Sequence, residues 1–135
     1  MANQIWLNLP VKDVAKSKVF FSEIGFTFNE EHDTPKSTCM LVGENKFVIM
    51  LFEEELFADF SQNELTDTKT SSEILISIDA QDKEEVNELA KKVAAAGGIV
   101  FAPPAESQGW MYGCAFADLD GHRWNSLFMD FSKLS

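Results

Sequence analysis

At 135 residues and 45% hydrophobic side chains, the chain has the size and apolar content of one domain that needs no staples. Its 22 acidic against 11 basic residues give a formal net charge of −11, which argues against nucleic acid, since phosphate binding needs a basic surface. No run approaches the ~20 apolar residues of a membrane span, Met1-Ala2-Asn3-Gln4 lacks a signal-like start, and Cys39 and Cys114 make no disulfide framework, so the expectation is a cytoplasmic protein without a membrane partner.

Gln4 to Pro10 alternates, with Ile5, Leu7 and Leu9 on one face and Gln4, Trp6 and Asn8 on the other, the period of a half-buried strand. Asp13 is an N-cap and Gly25 a helix stop, and Val14, Val19, Phe20 and Ile24 recur between them at helical spacing, predicting a helix over Asp13 to Ile24. Strands follow over Phe26 to Glu31, Ser37 to Val42 and Lys46 to Phe52, the last two joined by a Gly43-Glu44-Asn45 turn. Glu53 to Gln62 reads as a short surface helix and Asn63 to Ser71 as a polar connector.

Then the pattern restarts. Glu73 to Asp79 alternates Ile74, Ile76 and Ile78 against Glu73, Leu75 and Ser77. Asp82 with Glu85 three residues on is a capping-box-like start, and the helix runs to Ala96 before Gly97-Gly98. Strands are predicted over Ile99 to Ala102, Trp110 to Ala117 and His122 to Met129, with a Pro103 to Gln108 loop and an Asp118 to Gly121 turn. The order is strand, helix and three strands, repeated once. Cys39 to Cys114 and Met50 to Asn125 share an offset of 75 residues, and Trp6 to Glu73 one of 67. One domain over residues 1–135 follows, with halves at about 1–62 and 72–135 and a connector at 63–71.

The segment Leu9-Pro10-Val11-Lys12-Asp13-Val14-Ala15-Lys16-Ser17-Lys18-Val19-Phe20-Phe21, leading to Ile24-Gly25-Phe26, resembles the opening D-x-x-x-S-x-x-F-[FY] and L-G-F signature of the vicinal-oxygen-chelate superfamily, the glyoxalase and bleomycin-resistance proteins. Asp118-Leu119-Asp120-Gly121-His122-Arg123-Trp124 resembles that family's D-P-D-G-[HN] turn before the last strand. The resemblance spans the chain. It implies an α+β, glyoxalase-like fold, two βαβββ repeats forming cupped half-barrel sheets around a ligand cavity, and a homodimer.

The more uniformly aliphatic sheet face is the one a helix buries, which places Ile5, Leu7, Leu9, Ile74, Ile76 and Ile78 under the helices. The opposite face then carries Trp6, Asn8, Val48, Met50 and Phe52 from the first half, and Glu73, Leu75, Ser77, Arg123, Asn125 and Leu127 from the second. Trp110, Tyr112, Cys114 and Phe116, with Cys39 and Leu41, are expected on the walls. Such an apolar, aromatic lining with few polar groups suits a small-molecule pocket; the alternative is a collapsed core with no ligand.

Metal-dependent members of the family carry one ligand on each of the first, fourth, fifth and eighth strands. The resemblance places those positions at Trp6, Met50, Glu73 and Asn125. Only Glu73 is a strong hard-cation donor, so the expectation is no metal and no cofactor. Glu73 on an apolar face suits a general base or a counter-ion, and an ion pair with Arg123 is the structural alternative. His122 belongs to the turn and His32 to a charged loop, and the cysteines read as small buried hydrophobes. Gly97-Gly98 follows a helix and cradles no phosphate. Three functions stay open. The first is metal-free binding of a small aromatic or cationic ligand by Trp6, Trp110, Tyr112 and Phe116, with Glu73 and Arg123 orienting it, as in the drug-sequestering branch of the family. The second is a glyoxalase-type lyase or isomerase with Glu73 as base, and the third an oligomerising protein without a ligand.

Overall fold

The computed structural model describes residues 1–134. Two compact units divide the chain, Met1–Thr66 and Asp67–Ser135. The first contains β1 (Leu7–Val11), α1 (Val14–Glu23), β2 (Thr27–Thr34), β3 (Ser37–Val42), β4 (Phe47–Glu53) and α2 (Glu54–Ser61). The second contains β5 (Leu75–Asp79), α3 (Lys83–Ala96), β6 (Ile99–Ser107), β7 (Met111–Ala117), β8 (Arg123–Met129) and a short 3-10 turn over Phe131–Lys133. This is an α+β fold of two βαβββ repeats, and the sheet orders, β1-β4-β3-β2 and β5-β8-β7-β6, repeat one another. In each sheet the first strand runs parallel to the fourth, and the remaining pairs are antiparallel.

Local chemistry sets the helix ends. Asp13 is extended and its carboxylate accepts from the Lys16 N–H at 3.0 Å, satisfying a first-turn donor of α1. Gly25 follows the helix at φ 109°, a conformation glycine adopts without a Cβ penalty. Asp82 caps α3 by accepting from the Glu85 N–H at 2.8 Å. Glu85 reaches back to the Gln81 N–H at 2.8 Å, one residue beyond the usual capping-box partner.

In the first unit α1 packs on β2, β3 and β4. It buries Val14, Ser17, Phe20 and Phe21, and the sheet contributes Leu9, Val11, Met40, Ile49 and Leu51 to the core. Phe21 stacks on Phe26 with ring centroids 5.7 Å apart. In the second unit α3 lays Val86, Ala90 and Val93 on β6, β7 and β8. Trp124 and Phe116 are fully buried and stacked, 6.1 Å between centroids.

Four expectations need correcting. First, β1 begins at Leu7, where pairing with Ile49 begins. Ile5 and Trp6 lie ahead of it, 75% and 52% exposed, so Ile5 is not under a helix. Second, β5 begins at Leu75, leaving Glu73 and Ile74 outside the strand and exposed. Third, β6 continues through Pro103 and Pro104 to Ser107 in place of a loop. It stands at the sheet edge and shifts register around Ala102, which accommodates the missing proline N–H groups.

The fourth concerns face. Tyr112, Cys114 and Phe116 pair with Phe128, Ser126 and Trp124, so they point toward α3 and not onto the opposite wall. The cause is hairpin length. The turn between β3 and β4 takes residues 43–46, and that between β7 and β8 takes residues 118–122. One residue of difference reverses strand parity. Met50 pairs with Cys39, whereas Asn125 pairs with Ala115, so Cys39 corresponds in position to Ala115 and not to Cys114.

The longer turn is held from within. The Asp118 carboxylate, 5% exposed, accepts at one oxygen from the backbone N–H groups of Asp120 and His122, both at 3.0 Å. Its other oxygen accepts from the Trp124 indole N–H at 3.1 Å. Burial pushes the Asp118 carboxyl up, against the opposing pull of His122 and the indole N–H. The Thr68 hydroxyl donates to the Asp120 carbonyl, tying the connector to this turn.

Candidate functional site

Each sheet has one face on its βαβββ helix and a second, open face. On the first sheet the open face carries Asn8 beside Met50, Pro10 beside Phe52, Cys39 beside Met50 and Leu41 beside Val48. Asn8, Met50 and Phe52 are thus on the expected face. Phe52 is half-buried, and the ring of Phe60 from α2 meets it edge-on at 5.3 Å. Trp6 precedes the strand and does not share its register.

On the second sheet the open face carries Leu75 beside Arg123 and Ser77 beside Asn125, with Leu127 next along β8. The Ser77 hydroxyl donates to the Asn125 side-chain carbonyl. Opposite Leu127, Asn125 and Arg123, β7 presents only Gly113, Ala115 and Ala117. The Arg123 guanidinium lies over the Phe101 ring, 4.4 Å from its centroid, and is half-buried. The Glu73–Arg123 ion pair, the structural alternative for these two residues, is not formed. Lys18, Lys83 and Lys91 do form ion pairs, with Glu30 and Asp33, with Glu106 and with Glu88. Sequence reasoning missed Phe101 and Ala115. The unequal hairpins were the available signal for Ala115; Phe101 sits at a register shift that no alternation predicts.

Trp110 and Tyr112 belong to a different place. The Tyr112 hydroxyl donates to the Asn87 side chain of α3 at 2.7 Å. The Lys83 ammonium stands 5.4 Å from the Tyr112 ring centroid and pairs with Glu106. That hydrogen bond and charge hold the exposed Glu106 carboxyl below the usual carboxylate range. Trp110, half-buried just ahead of β7, meets Phe131 at 5.9 Å, and its carbonyl accepts from the Asp130 N–H at 2.8 Å. Lys83, Glu106, Trp110, Tyr112, Phe128, Asp130 and Lys133 line a shallow depression in the second unit. Phe116, fully buried against Trp124, is core.

The positions implied for a metal do not fit one. In the first unit Met50 stands beside Asn8, a thioether beside an amide, and Trp6 offers no lone pair. In the second, Ser77 stands beside Asn125, and Glu73 lies four residues earlier, about 13 Å along an extended chain. Among the described residues no group of three or more His, Cys, Asp or Glu side chains converges as metal ligands would.

The cysteines are poor nucleophiles. Burial pushes both thiols up, and the charge of Asp33 adds to this at Cys39. Asp33 is tied to Lys18 and to the Thr38 hydroxyl at 2.7 Å; burial works to raise its carboxyl, and those partners hold it below the usual range. With an aromatic disulfide reagent at pH 8, Cys39 is expected to react about tenfold or more slower than free cysteine. Cys114, which faces the Val86 carbonyl of α3, is expected to react only on unfolding. Rapid labelling of both thiols in the folded protein would contradict this.

Residues 4–43 match a family described as bleomycin resistance protein-like N-terminal. A hypothetical protein from S. aureus is 37% identical over 95% of this chain and 94% of its own, with a TM-score of 0.84. A glyoxalase-related enzyme from Fulvimarina pelagi is 20% identical, covering 94% of this chain and 88% of its own, with a TM-score of 0.80. A glyoxalase/bleomycin resistance protein/dioxygenase family enzyme from Burkholderia phytofirmans is 19% identical over 92% and 96%, with a TM-score of 0.78. At that identity the last two establish likeness of fold. A search of curated proteins finds no match.

Proposed function

This chain belongs to the vicinal-oxygen-chelate superfamily of glyoxalase/bleomycin-resistance proteins, and on that footing we propose that it is a metal-independent small-molecule-binding protein whose contact surfaces are its open sheet faces. The observation that carries this reading is the second sheet's open face. A half-buried arginine is stacked on an exposed ring there, beside an amide fixed by Ser77 and a row of small side chains. Polar groups few in number, held in orientation and set in an apolar surround are how small-molecule sites are made. In the first unit Asn8, Met50 and Phe52 are the corresponding contact residues.

The donor chemistry at Trp6, Met50, Glu73 and Asn125 supports binding without a metal. The glyoxalase-type alternative with Glu73 as base draws no support from an exposed carboxylate ahead of β5. A homodimer in the cytoplasm completes the proposal. In the first unit Ile5 and Trp6, and in the second Ile74 and Leu75, leave apolar surface that a second copy would cover. No helix is long and apolar enough to cross a membrane among the described residues.

The test is a fragment screen by amide-resonance mapping on protein stripped of metal with EDTA. Fragments are expected to shift Asn8, Met50, Ser77, Arg123 and Asn125 without added metal. Binding that appears only after zinc or nickel is restored, or turnover of the methylglyoxal–glutathione adduct, would overturn the reading.

A further inference from the structure

Arg123 is the chain's sole arginine; every other basic side chain counted in its charge is a lysine. The chain carries 22 carboxylate side chains, and among the described residues none forms an ion pair with this half-buried cation. The contact with the Phe101 ring is a cation–π contact to the guanidinium carbon, and a guanidinium carries five N–H donors with which to meet a planar acceptor. Two residues along β8 and on the same face, Asn125 has its carbonyl oxygen occupied by the Ser77 hydroxyl, which turns its NH₂ outward. The Arg123 guanidinium and the Asn125 NH₂ are the N–H donors on this stretch of the face. The acidic side chains closest in sequence register are Glu73, two residues ahead of Leu75, and Asp79, beside Leu127 and two residues beyond Ser77, each about 7 Å along the strand from the nearer of the two pairs. Around the two donors stand Leu75, Leu127, Ala115 and Phe101, all apolar.

We infer that Arg123, with Asn125, receives the carboxylate of an organic acid whose apolar body lies over Phe101 and Leu75. The inference rests on the reading of this face as a small-molecule site and reverses the expectation of a cationic ligand. A single planar cation matches a monoanion that accepts two parallel N–H bonds. No lysine is paired with Arg123 in the strand register to balance a second charge, and the net charge of −11 disfavours a phosphate dianion.

The test compares three probes of one shape: 1-naphthoate, 1-naphthamide and 1-naphthylmethylamine. With one arginine in the chain, the Arg123 Nε–H resonance is unambiguous and reports contact directly. The acid is expected to shift that resonance and the Asn125 NH₂ pair, and to bind about tenfold to a hundredfold tighter than the amide. Arg123→Gln is expected to abolish that difference while sparing the weak binding of the amide. Equal affinity of acid and amide, or a preference that survives Arg123→Gln, overturns the carboxylate inference alone. Failure of all three probes to bind overturns the small-molecule reading, and this inference with it. If Arg123→Gln does not fold, the wild-type affinities and resonance shifts decide the matter.

Discussion

Asp118→Ala is expected to lower the melting temperature by about 10–15 °C, from the loss of about 3 kcal/mol. The side chain satisfies three N–H donors at once, those of Asp120, His122 and the Trp124 indole. Trp124 has no exposed surface, so its N–H cannot turn to water when the carboxylate is removed. A buried donor left without an acceptor costs about 1–3 kcal/mol, and the two backbone groups add to it. The same change frees the turn that sets the β7–β8 register, which places Arg123 and Asn125 on the open face. Asp118→Asn keeps one carbonyl oxygen and is expected to fall between wild type and alanine. A calorimetric melt of Asp118→Ala within about 2 °C of wild type would show that the turn does not depend on this carboxylate.

Gly113→Ala is the second large effect, at about 2–3 kcal/mol of destabilisation. A Cβ built at Gly113 comes 2.6 Å from a methyl of Leu127 and 2.7 Å from the Ser126 carbonyl oxygen. The leucine can turn aside, but the carbonyl is part of the β7–β8 backbone pairing and cannot move without parting the strands. Gly113 does not adopt a positive φ, so the requirement is for space and not for backbone freedom. Urea titration is the suitable measurement. An unchanged midpoint would mean that β8 yields at Ser126 more readily than a packed sheet should.

Much of the fold was legible because local signals and hydrophobic period agreed. Asp13 and Asp82 mark helix starts, Gly25 and Gly97 mark stops, and the Asp118 to Gly121 turn divides two strands, all read from side chains acting on nearby backbone. Strand beginnings were less legible. Alternation continues upstream through Trp6 and Glu73, but a strand begins where a partner pairs with it, at Leu7 against Ile49 and Leu75 against Arg123. The extension of β6 was hidden by Pro103 and Pro104, which read as loop and are tolerated because the strand is at an edge. Of the candidate site, Asn8, Met50, Phe52, Arg123 and Asn125 were assigned to the open faces by parity alone. Tyr112 and Phe116 are misassigned by carrying the offset of 75 residues from Met50 and Asn125 across the hairpin to Cys39 and Cys114, although the β7–β8 turn is one residue longer. The stacking of Arg123 on Phe101 depends on a register shift in β6 that no period in the sequence reveals.

The two sheets also bear on self-association. Four strands, β1, β2, β5 and β6, stand at sheet edges, where free backbone groups could template the addition of another strand. β1 carries Pro10 and β6 carries Pro103 and Pro104, and a proline has no N–H to give a ladder. β2 is irregular between Asn29 and Thr34 and carries Glu30, Glu31 and Asp33. Only β5 has neither proline nor bulge, and its five residues end in Asp79. Growth of one chain upon another by strand addition therefore has a single short starting edge, and the prolines and charges elsewhere act as terminators.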